Sequence, residues 1–294
     1  MNKKFIRNRD IFVFAFPALA IFTIFVVYPI FPQVLISFQE HDGFAFKSFV
    51  GIDNYKDIFF SKPFWKSEVN TYIIVLISLF IAIPFSLFLA LFMDLQSEKL
   101  RRFLKITTVL PALLSVTVIA QMWVAIYEPT WGLLNTVLRT LGLENLTRTW
   151  LVDKKTVMGS ISIAFLWQYI GLNALLFYTG IKAIPKSFNE AAVIDGARFL
   201  KRSIYVTIPL LQDVFKYVLV ISTLGCMAQF SYVRILTSGG PGYTSRTIIY
   251  QMYYTAFTQS DFGTGSSIAI IFIIQCIFIS IIINKYVAKE KIEY

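Results

Sequence analysis

Few residues of this 294-residue sequence have the side chains that metal binding or acid–base catalysis requires. His41 is the single histidine, and Cys226 and Cys276 are too far apart to form a CxxC pair. The carboxylates are scattered, so a membrane-embedded enzyme such as a lipid-modifying transferase would lack its usual cluster of acidic residues or histidines. The sequence therefore predicts no catalytic residue, no metal site and no cofactor bound by this chain.

Polar side chains of another kind lie inside long apolar stretches, where they could hydrogen-bond a polar solute. They are Gln121, Gln168, Asn173, Ser222, Thr223 and Gln229. Polar groups inside a membrane often mark a pathway. They also form hydrogen bonds between helices, which are worth about 0.6 kcal/mol each. The sequence leaves both interpretations open for each of the six residues.

The run Gly239-Gly240-Pro241-Gly242 is superficially similar to a phosphate-binding loop. It lacks the G-x-x-x-x-G-K-[ST] spacing of such a loop, and the topology derived below places it outside the cell as a turn. No other segment has the features of a nucleotide site. The chain is therefore not expected to hydrolyse ATP itself.

Membrane-spanning helices must position these residues, because the chain has too little charge for a soluble domain. Charged residues make up 15% of the sequence, whereas a soluble domain has about 25%. Stretches of about 20 residues carry no charge, which is the pattern of membrane spans. The sequence predicts an all-α integral membrane fold with six spans, at residues 11–36, 71–93, 106–127, 157–181, 214–236 and 266–287.

The basic residues indicate how these spans are oriented. The net charge is +10, and most of the excess falls on one side of the six-span arrangement. That side includes the cluster Lys99, Arg101, Arg102 and Lys105. The positive-inside rule places this side, and with it both termini, in the cytoplasm. The rule accounts for the charge without nucleic-acid binding.

The N-terminal segment has basic residues followed by an apolar run, as a secretory signal peptide does. The run from Ile11 to Ile36 is too long for a signal peptide and lacks a suitable cleavage site, so it is predicted to be an uncleaved first span. The predicted organisation is a cytoplasmic N-terminus at 1–10, a transmembrane domain at 11–288 and a cytoplasmic tail at 289–294.

Prolines interrupt several of the predicted spans. They are Pro17, Pro29, Pro32, Pro84 and Pro111. A proline inside a helix frees a backbone carbonyl. It can act as a simple kink, or as a hinge or unwound turn that lines a pathway, and the sequence leaves this choice open.

The long cytoplasmic segment at residues 182–213, between spans four and five, has helical signals of its own. Ser187 followed by Glu190 forms a capping box, which predicts the start of a helix. Gly196 is suited to end or bend that helix, and Pro209 limits the next one. The sequence predicts a short helix, a glycine turn and a second short helix parallel to the membrane.

This segment resembles the "EAA" signature loop of bacterial ABC-importer permease subunits. The resemblance is carried by Glu190, Ala191, Ala192, Asp195, Gly196, Ala197, Thr207, Ile208, Pro209 and Leu210. Ser203 departs from the pattern, because the family usually has a large apolar residue such as Phe there. The resemblance implies that the segment docks an ATPase. The residues expected to form that contact are Glu190, Ala191, Ala192, Asp195, Gly196, Ala197 and Arg198.

Three further segments are similar to the sugar-importer branch of that family, the permeases of the maltose and glycerol-phosphate type. They are Phe49–Tyr55, Trp131–Asn135 and Leu236–Tyr250, so the resemblance runs over about residues 49–257. It implies a type I ABC importer permease fold with cytoplasmic coupling helices in the bacterial cytoplasmic membrane. The implied partners are a second, similar permease in a heterodimer, two ATPase subunits that bind ATP and Mg²⁺, and an extracytoplasmic solute-binding protein.

The resemblance therefore implies a transport subunit, not an enzyme, for a sugar, oligosaccharide, polyol or glycerol-phosphate-type solute. Four aromatic residues could stack on sugar rings or lie in the interfacial belt. They are Trp123, Tyr127, Trp167 and Tyr169.

The alternative function is that of a secondary transporter driven by an ion gradient. Such a protein needs titratable groups at mid-membrane, and the predicted spans contain neither an acidic residue nor a histidine.

Overall fold

The computed structural model describes residues 8–286, with side chains from residue 14, as a helical chain that forms two compact units. One unit contains the described residues up to Ser61 together with Met252–Phe272, and the second contains Lys62–Gln251 together with the described residues from Ile273 onward. The predicted tail at 289–294 and most of the predicted N-terminal segment lie outside the described residues.

The secondary structure is mostly α-helical. The helices are α1 (Asn8–Phe22), α2 (Ile30–Ile36), α3 (Asp53–Phe60), α4 (Lys62–Ile77), α5 (Ile83–Leu95), α6 (Glu98–Leu113), α7 (Val116–Ile126), α8 (Leu133–Thr140), α9 (Val157–Ala183), α10 (Lys186–Ile194), α11 (Phe199–Arg202), α12 (Ile208–Leu210), α13 (Gln212–Met227), α14 (Ser231–Leu236), α15 (Ile248–Tyr253) and α16 (Phe262–Tyr286). Single π-helical turns occur at Thr23–Val27, Ser78–Ala82, Ser203–Thr207 and Tyr254–Thr258, and a 3₁₀ turn at Glu144–Leu146. A short antiparallel hairpin of β1 (Gln39–His41) and β2 (Phe46–Phe49), which the sequence does not predict, follows α2.

Five helical segments in the described part of the chain are long and apolar enough to cross a membrane, and a bent helix pair raises the number to six if it crosses as one span. Four predicted spans agree closely with the segments Phe14–Ile36, Val157–Ala183, Gln212–Leu236 and Phe262–Tyr286. The second predicted span, 71–93, is too short, because the helix runs from Lys62 to Leu95. It therefore contains the buried residue Glu68, which the predicted limits had excluded.

The third predicted span, 106–127, is wrong as a continuous helix. Helix α6 ends at Leu113 and α7 begins at Val116, and the two are bent by 98°. Pro111 lies in the last turn of α6, and the Ser115 hydroxyl caps α7 by accepting the Val118 N–H at 3.3 Å. Both helices are apolar, so hydropathy gives no sign of the change in direction.

Two further prolines lie beside π-helical turns. Pro29 follows the turn Thr23–Val27, and Pro84 follows the turn Ser78–Ala82. A proline cannot supply the N–H that an α-helix needs, and its ring clashes with the carbonyl four residues earlier. The widened turns accommodate that clash, which is a local outcome that the prolines by themselves had left open.

The first unit is organised around the side chain of Asn54 in α3. Its amide donates to the carbonyls of Ser37 at 2.9 Å and Gln39 at 3.0 Å. The Ser267 hydroxyl of α16 donates to the same Ser37 carbonyl at 2.9 Å. These bonds tie α3 and the start of α16 to the chain that leads into the hairpin. The Phe49–Tyr55 segment therefore has a structural role, because its Asn54 side chain holds α3 against the hairpin.

The second unit is built on close contacts between α9 and its neighbours. Ala82, Ser86 and Ala90 recur every four residues and are buried, and the Ser86 hydroxyl donates to the Ile170 carbonyl of α9 at 3.0 Å. Small residues at this spacing let membrane helices approach closely. On α9 itself, Gly171 lies directly against the backbone of Thr108 in α6.

The Leu236–Tyr250 segment folds back onto α4 in the same unit. Gly239 and Gly242 have positive φ angles of 79° and 64°, as a turn requires. The Asn70 amide donates to the carbonyls of Thr244 and Arg246, both at 2.8 Å. The predicted turn is present, and side-chain hydrogen bonds from α4 hold it.

Candidate functional site

A cavity of about 340 Å³ lies within the second unit, between α9, α13, α14 and the π-helical turn Ser78–Ala82. Its volume falls at the lower end of the range for small-molecule sites, about 300–1,000 Å³. The wall is mostly apolar, with a few polar side chains that converge on the space. This combination is typical of a site for a small polar molecule with an apolar face.

Three of the six polar residues from the sequence analysis line this cavity: Asn173, Ser222 and Gln229. The Asn173 amide donates to the Ser222 hydroxyl at 3.1 Å, which ties α9 to α13 at the wall. Gln229 lies at the break between α13 and α14, where its side-chain oxygen accepts the Tyr232 N–H at 3.2 Å. Its backbone carbonyl accepts from the Thr247 hydroxyl at 2.5 Å.

The other three polar residues lie elsewhere. Gln121 is exposed on α7. Thr223 is buried next to the wall but does not line it, and its hydroxyl has no hydrogen-bond partner within the described residues. Gln168 is buried in α9 and bonds to protein groups, as described below.

Among the four aromatic residues, Tyr169 lines the cavity. The other three form a cluster outside the cavity wall. The ring centroids of Trp123 and Trp167 are 5.8 Å apart, and those of Trp123 and Tyr127 are 5.1 Å apart. Trp123, Tyr127 and Trp167 are therefore packing residues in this conformation.

Ser78 also lines the cavity and was not among the predicted residues. It is 1% exposed and begins the π-helical turn in the second span. Such turns are frequent at functional sites because they displace side chains from the regular helical positions. Pro84, six residues later, was the available signal, but a proline does not reveal which neighbouring side chain turns inward.

Gln168 braces the bend between α6 and α7. Its amide nitrogen donates to the carbonyls of Leu114 at 3.0 Å and Pro111 at 3.3 Å, which lie at the break. Its oxygen accepts from the Tyr232 hydroxyl at 2.6 Å. With 1% exposure, Gln168 has no contact with open solvent. Its amide thus provides a hydrogen-bond donor for carbonyl groups that are left without an intrahelical partner where the helix breaks.

Replacing Gln168 by leucine is therefore expected to destabilise the protein, since buried partners would be left unpaired at about 1–3 kcal/mol for each group. Thermal unfolding of the purified chain in detergent measures the effect. Gln121→Leu makes the same chemical change at an exposed site and should unfold at the wild-type temperature. Equal stability of the two variants would contradict the bracing role.

The chain between Ile184 and Leu211, here called the loop hairpin, joins α9 to α13. The predicted arrangement of two short helices around Gly196 is confirmed, since α10 ends at Ile194 and α11 begins at Phe199. The predicted capping box is wrong. Helix α10 begins at Lys186 with Pro185 in the cap position and no side-chain cap, so Ser187 and Glu190 already lie inside the helix.

Gly196 ends α10 in a Schellman motif. Its φ angle is +74°, and its N–H donates to the Val193 carbonyl at 3.0 Å. The N–H of Ala197 donates to the Ala192 carbonyl at 2.9 Å. This pair of bonds closes a helix end when the residue after the cap is left-handed, which glycine permits at little cost. The sequence signal at Gly196 is thereby explained.

The loop hairpin presents both charged and apolar groups. Glu190, Asp195 and Arg198 are exposed. Its large exposed apolar residues are Phe188 (41%), Val193 (56%), Ile194 (85%), Leu200 (71%), Ile204 (55%) and Tyr205 (75%). Ala192 and Ser203 are buried within the hairpin instead. The departure from the family pattern at Ser203 therefore falls on a packing position.

Both ends of the loop hairpin are fixed in the core of the second unit. Ile184 and Leu211 belong to one buried cluster with Ile83, Phe177 and Val218. Beside this cluster, Lys182 of α9 pairs with Asp94 of α5 at 2.5 Å. The loop hairpin is thus anchored at the ends of α9 and α13. Both helices reach the cavity about 16 Å further on, which is eleven residues at a rise of about 1.5 Å.

The Trp131–Asn135 segment follows α7 and is held by hydrogen bonds of the Asn135 side chain. The Asn135 amide donates to the carbonyls of Pro129 at 3.0 Å and Arg148 at 2.9 Å, and its oxygen accepts from the Trp150 indole at 2.8 Å. Desolvation alone would raise the pKa of the neighbouring Glu128 carboxyl. Hydrogen bonds, chiefly from the Thr130 hydroxyl and the Trp131 N–H, outweigh it and lower that pKa. The hydrogen bonds of Asn135 position the connection between α7 and α9.

The sequence pattern of binding-protein-dependent transport system inner membrane components matches residues 82–292. The chain belongs to this family. It is 34% identical over 290 residues to the probable ABC transporter permease protein YurN of Bacillus subtilis, covering 98% of this chain and 99% of YurN. It is 31% identical to the arabinooligosaccharides transport system permease protein AraP of the same organism, covering 95% and 89% of the two chains.

The fold of this permease is similar to that of a chain in the crystal structure of a bacterial ABC transporter that imports alginate. The TM-score is 0.82 at 22% sequence identity, and the match covers 94% of this chain and 95% of the other. The predicted permease fold is confirmed by this likeness. Membership of the family confirms that the chain is a multi-pass inner-membrane transport component and not an enzyme.

Proposed function

We propose that this permease forms, with a second and similar permease, the membrane pathway for a sugar or oligosaccharide that a solute-binding protein delivers. The observation that carries the proposal is the cavity lined by Asn173, Ser222 and Gln229, which lies between the two helices that leave the loop hairpin. The cavity supplies amide and hydroxyl groups for solute hydroxyls and an aromatic face at Tyr169.

The relatives support a carbohydrate as the transported solute. The family members with the most informative names are the arabinooligosaccharides permease AraP, the trehalose/maltose permease MalF of Thermococcus litoralis and the diacetylchitobiose permease NgcF of Streptomyces coelicolor. All three names specify oligosaccharides. Permeases named for sn-glycerol-3-phosphate match at 27–28% identity, so a glycerol-phosphate-type solute is the second candidate.

The loop hairpin is proposed as the docking site for a cytoplasmic ATPase subunit. Its exposed apolar residues lie next to exposed charges, as in a protein interface with an apolar core and a polar rim. Its buried ends allow force to reach the cavity helices. Glu190, Asp195 and Arg198 would contribute polar contacts, while Ala191, Ala192, Gly196 and Ala197 set the shape of the contact.

The proposed orientation places the loop hairpin and both termini in the cytoplasm, as the positive-inside rule predicts. In that orientation two ATPase subunits, which bind ATP and Mg²⁺, lie below two permeases, and the solute-binding protein docks on the opposite face. Moving such an assembly from 1:99 to 99:1 between two states takes about 5.5 kcal/mol of differential binding. Closure of the ATPase subunits would supply this energy through the loop hairpin.

Transport by the complex reconstituted in liposomes tests the function. The permease is purified with its co-encoded partner subunits, and uptake of radiolabelled oligosaccharides is measured with and without ATP and the binding protein. The expected result is uptake that requires both and that persists when ionophores collapse the ion gradients. Uptake that follows an ion gradient without ATP would instead establish the alternative, a secondary transporter.

Replacing Asn173 by leucine is expected to reduce this uptake by at least about tenfold. A transported solute would lose one well-placed hydrogen bond in a desolvated site, which is worth about 1.4 kcal/mol or more. Thr223→Val is the matched control, because Thr223 is buried on α13 without lining the cavity. Uptake by Asn173→Leu at the wild-type rate, in a stably assembled complex, would exclude this cavity from the pathway.

A further inference from the structure

Glu68 is buried inside α4, where its carboxyl group faces one side chain of α16. Its exposed fraction is 5%, and its Oε1 accepts a hydrogen bond of 2.9 Å from the amide nitrogen of Gln275. Both residues belong to the second unit. Glu68 is the acidic residue that the predicted limits of the second span had excluded.

Each of the two side chains also has one oxygen atom that this hydrogen bond does not involve. Glu68 Oε2 and Gln275 Oε1 are both buried, and neither has a hydrogen-bond partner within the described residues. Both are acceptors when the carboxyl group is ionised, so neither can satisfy the other. A single proton on Glu68 Oε2 would turn this pair of acceptors into a donor and an acceptor.

No basic side chain in the described part of the chain forms an ion pair with the carboxyl group. None of the ion pairs in the described part of the chain involves Glu68. Tyr72 on α4 and Cys276 on α16 are the titratable neighbours of the site, and both are neutral at pH 7 in their ordinary state. The guanidinium of Arg246, near Asn70, donates to Gln251. A buried carboxylate without a cation would be strongly unfavourable here.

We propose that Glu68 is a proton-binding site, and that its neutral carboxyl group forms two hydrogen bonds with the Gln275 carboxamide, joining α4 to α16. In this arrangement Gln275 Nε2–H donates to Glu68 Oε1, and Glu68 Oε2–H donates to Gln275 Oε1. The pair satisfies every polar atom of both side chain ends and buries no charge.

Infrared spectroscopy of the assembled importer in lipid nanodiscs tests the proposal directly. With ¹³C-labelled glutamate, a carboxylic-acid C=O band at pH 7 is expected in the wild-type complex and not in Glu68→Gln. Asp94→Asn is the control, because Asp94 pairs with Lys182 and should contribute no such band. A wild-type spectrum at pH 7 in which Glu68 contributes only a carboxylate band would overturn the proposal.

Thermal unfolding gives an independent result. Glu68→Gln keeps two hydrogen bonds, since two carboxamides can pair in the same way, so its unfolding temperature should match that of the wild type. Gln275→Leu leaves the carboxyl group without a partner and should lower the unfolding temperature by about 2–4 °C. If Glu68→Gln were destabilised as much as Gln275→Leu, an ionised Glu68 would be the correct description.

Discussion

Replacing Gly196 by valine is expected to abolish ATP-driven uptake while the permease still inserts into the membrane. The φ angle of +74° is accessible to glycine but costs an L-residue about 1–2 kcal/mol, and a β-branched residue more. Apart from its two chain neighbours, no described residue has an atom within 4 Å of a Cβ at this position. The substitution therefore changes the turn and the direction of α11, not the packing of the membrane helices.

The measurement is uptake and ATP hydrolysis by the reconstituted complex. Gly196→Asn should retain partial uptake, because asparagine tolerates the left-handed conformation. Gly159→Ala in α9 is the control, since a Cβ there also meets open space but the backbone is helical. Wild-type uptake by Gly196→Val would show that the loop hairpin does not transmit the work of the ATPase.

Glu190→Lys extends the same test to the surface of α10. Glu190 is exposed on α10, and the N-cap of that helix is Pro185 without a side-chain hydrogen bond, so reversing the charge of Glu190 should leave the fold intact. The expected outcome is a complex that loses uptake because its ATPase docks poorly. Normal uptake by this variant would remove Glu190 from the docking surface.

Replacing Gly171 by alanine is expected to disrupt the packing of α9 against α6. A Cβ at Gly171 would lie 1.8 Å from the backbone oxygen of Thr108 and 2.3 Å from its carbonyl carbon. Backbone atoms cannot move aside as a flexible side chain can, so the helices must separate. We expect a loss of about 3 kcal/mol or more in the free energy of unfolding, together with low yields from the membrane.

Thermal unfolding in detergent should rank three alanine variants on the same helix. At Gly180 the closest atoms are the ends of the Val214 and Leu211 side chains, at 2.7 and 2.8 Å, which can shift. At Gly159 a Cβ would have no atom within 4 Å among the described residues, apart from the backbone of its own helix and its chain neighbours. The expected order of stability is Gly159→Ala, then Gly180→Ala, then Gly171→Ala. A Gly171→Ala variant as stable as Gly159→Ala would show that α6 and α9 are not in close contact in the membrane.

Much of this fold could be predicted from the sequence because the signals are local. Apolar stretches long enough to span a bilayer located most of the membrane helices, and the glycine at position 196 indicated a left-handed helix end. The capping box failed although it is also a local signal. Pro185 occupies the cap position, so the helix begins before Ser187. A short motif predicts that a helix forms more reliably than it predicts the first residue.

The candidate site was predictable only in part, since three of the six polar residues line the cavity. Polarity inside a span shows that a side chain needs a partner, but not whether the partner is a solute or another helix. Gln168 bonds to Pro111, Leu114 and Tyr232, which are 54 to 64 residues away in the sequence. Periodicity within one helix carries no information about such distant partners.

The sequence by itself determined that the chain is a multi-pass membrane protein with a short helix, a glycine turn and a second short helix between residues 182 and 213, because hydropathy and turn chemistry depend on residues close together in the chain. Only the tertiary structure decided that the third span bends after Leu113 and which side chains line the cavity. It also decided that Glu68 meets Gln275, 207 residues away. The physical reason is that these features depend on how helices pack, and packing brings together residues whose relation no local pattern encodes.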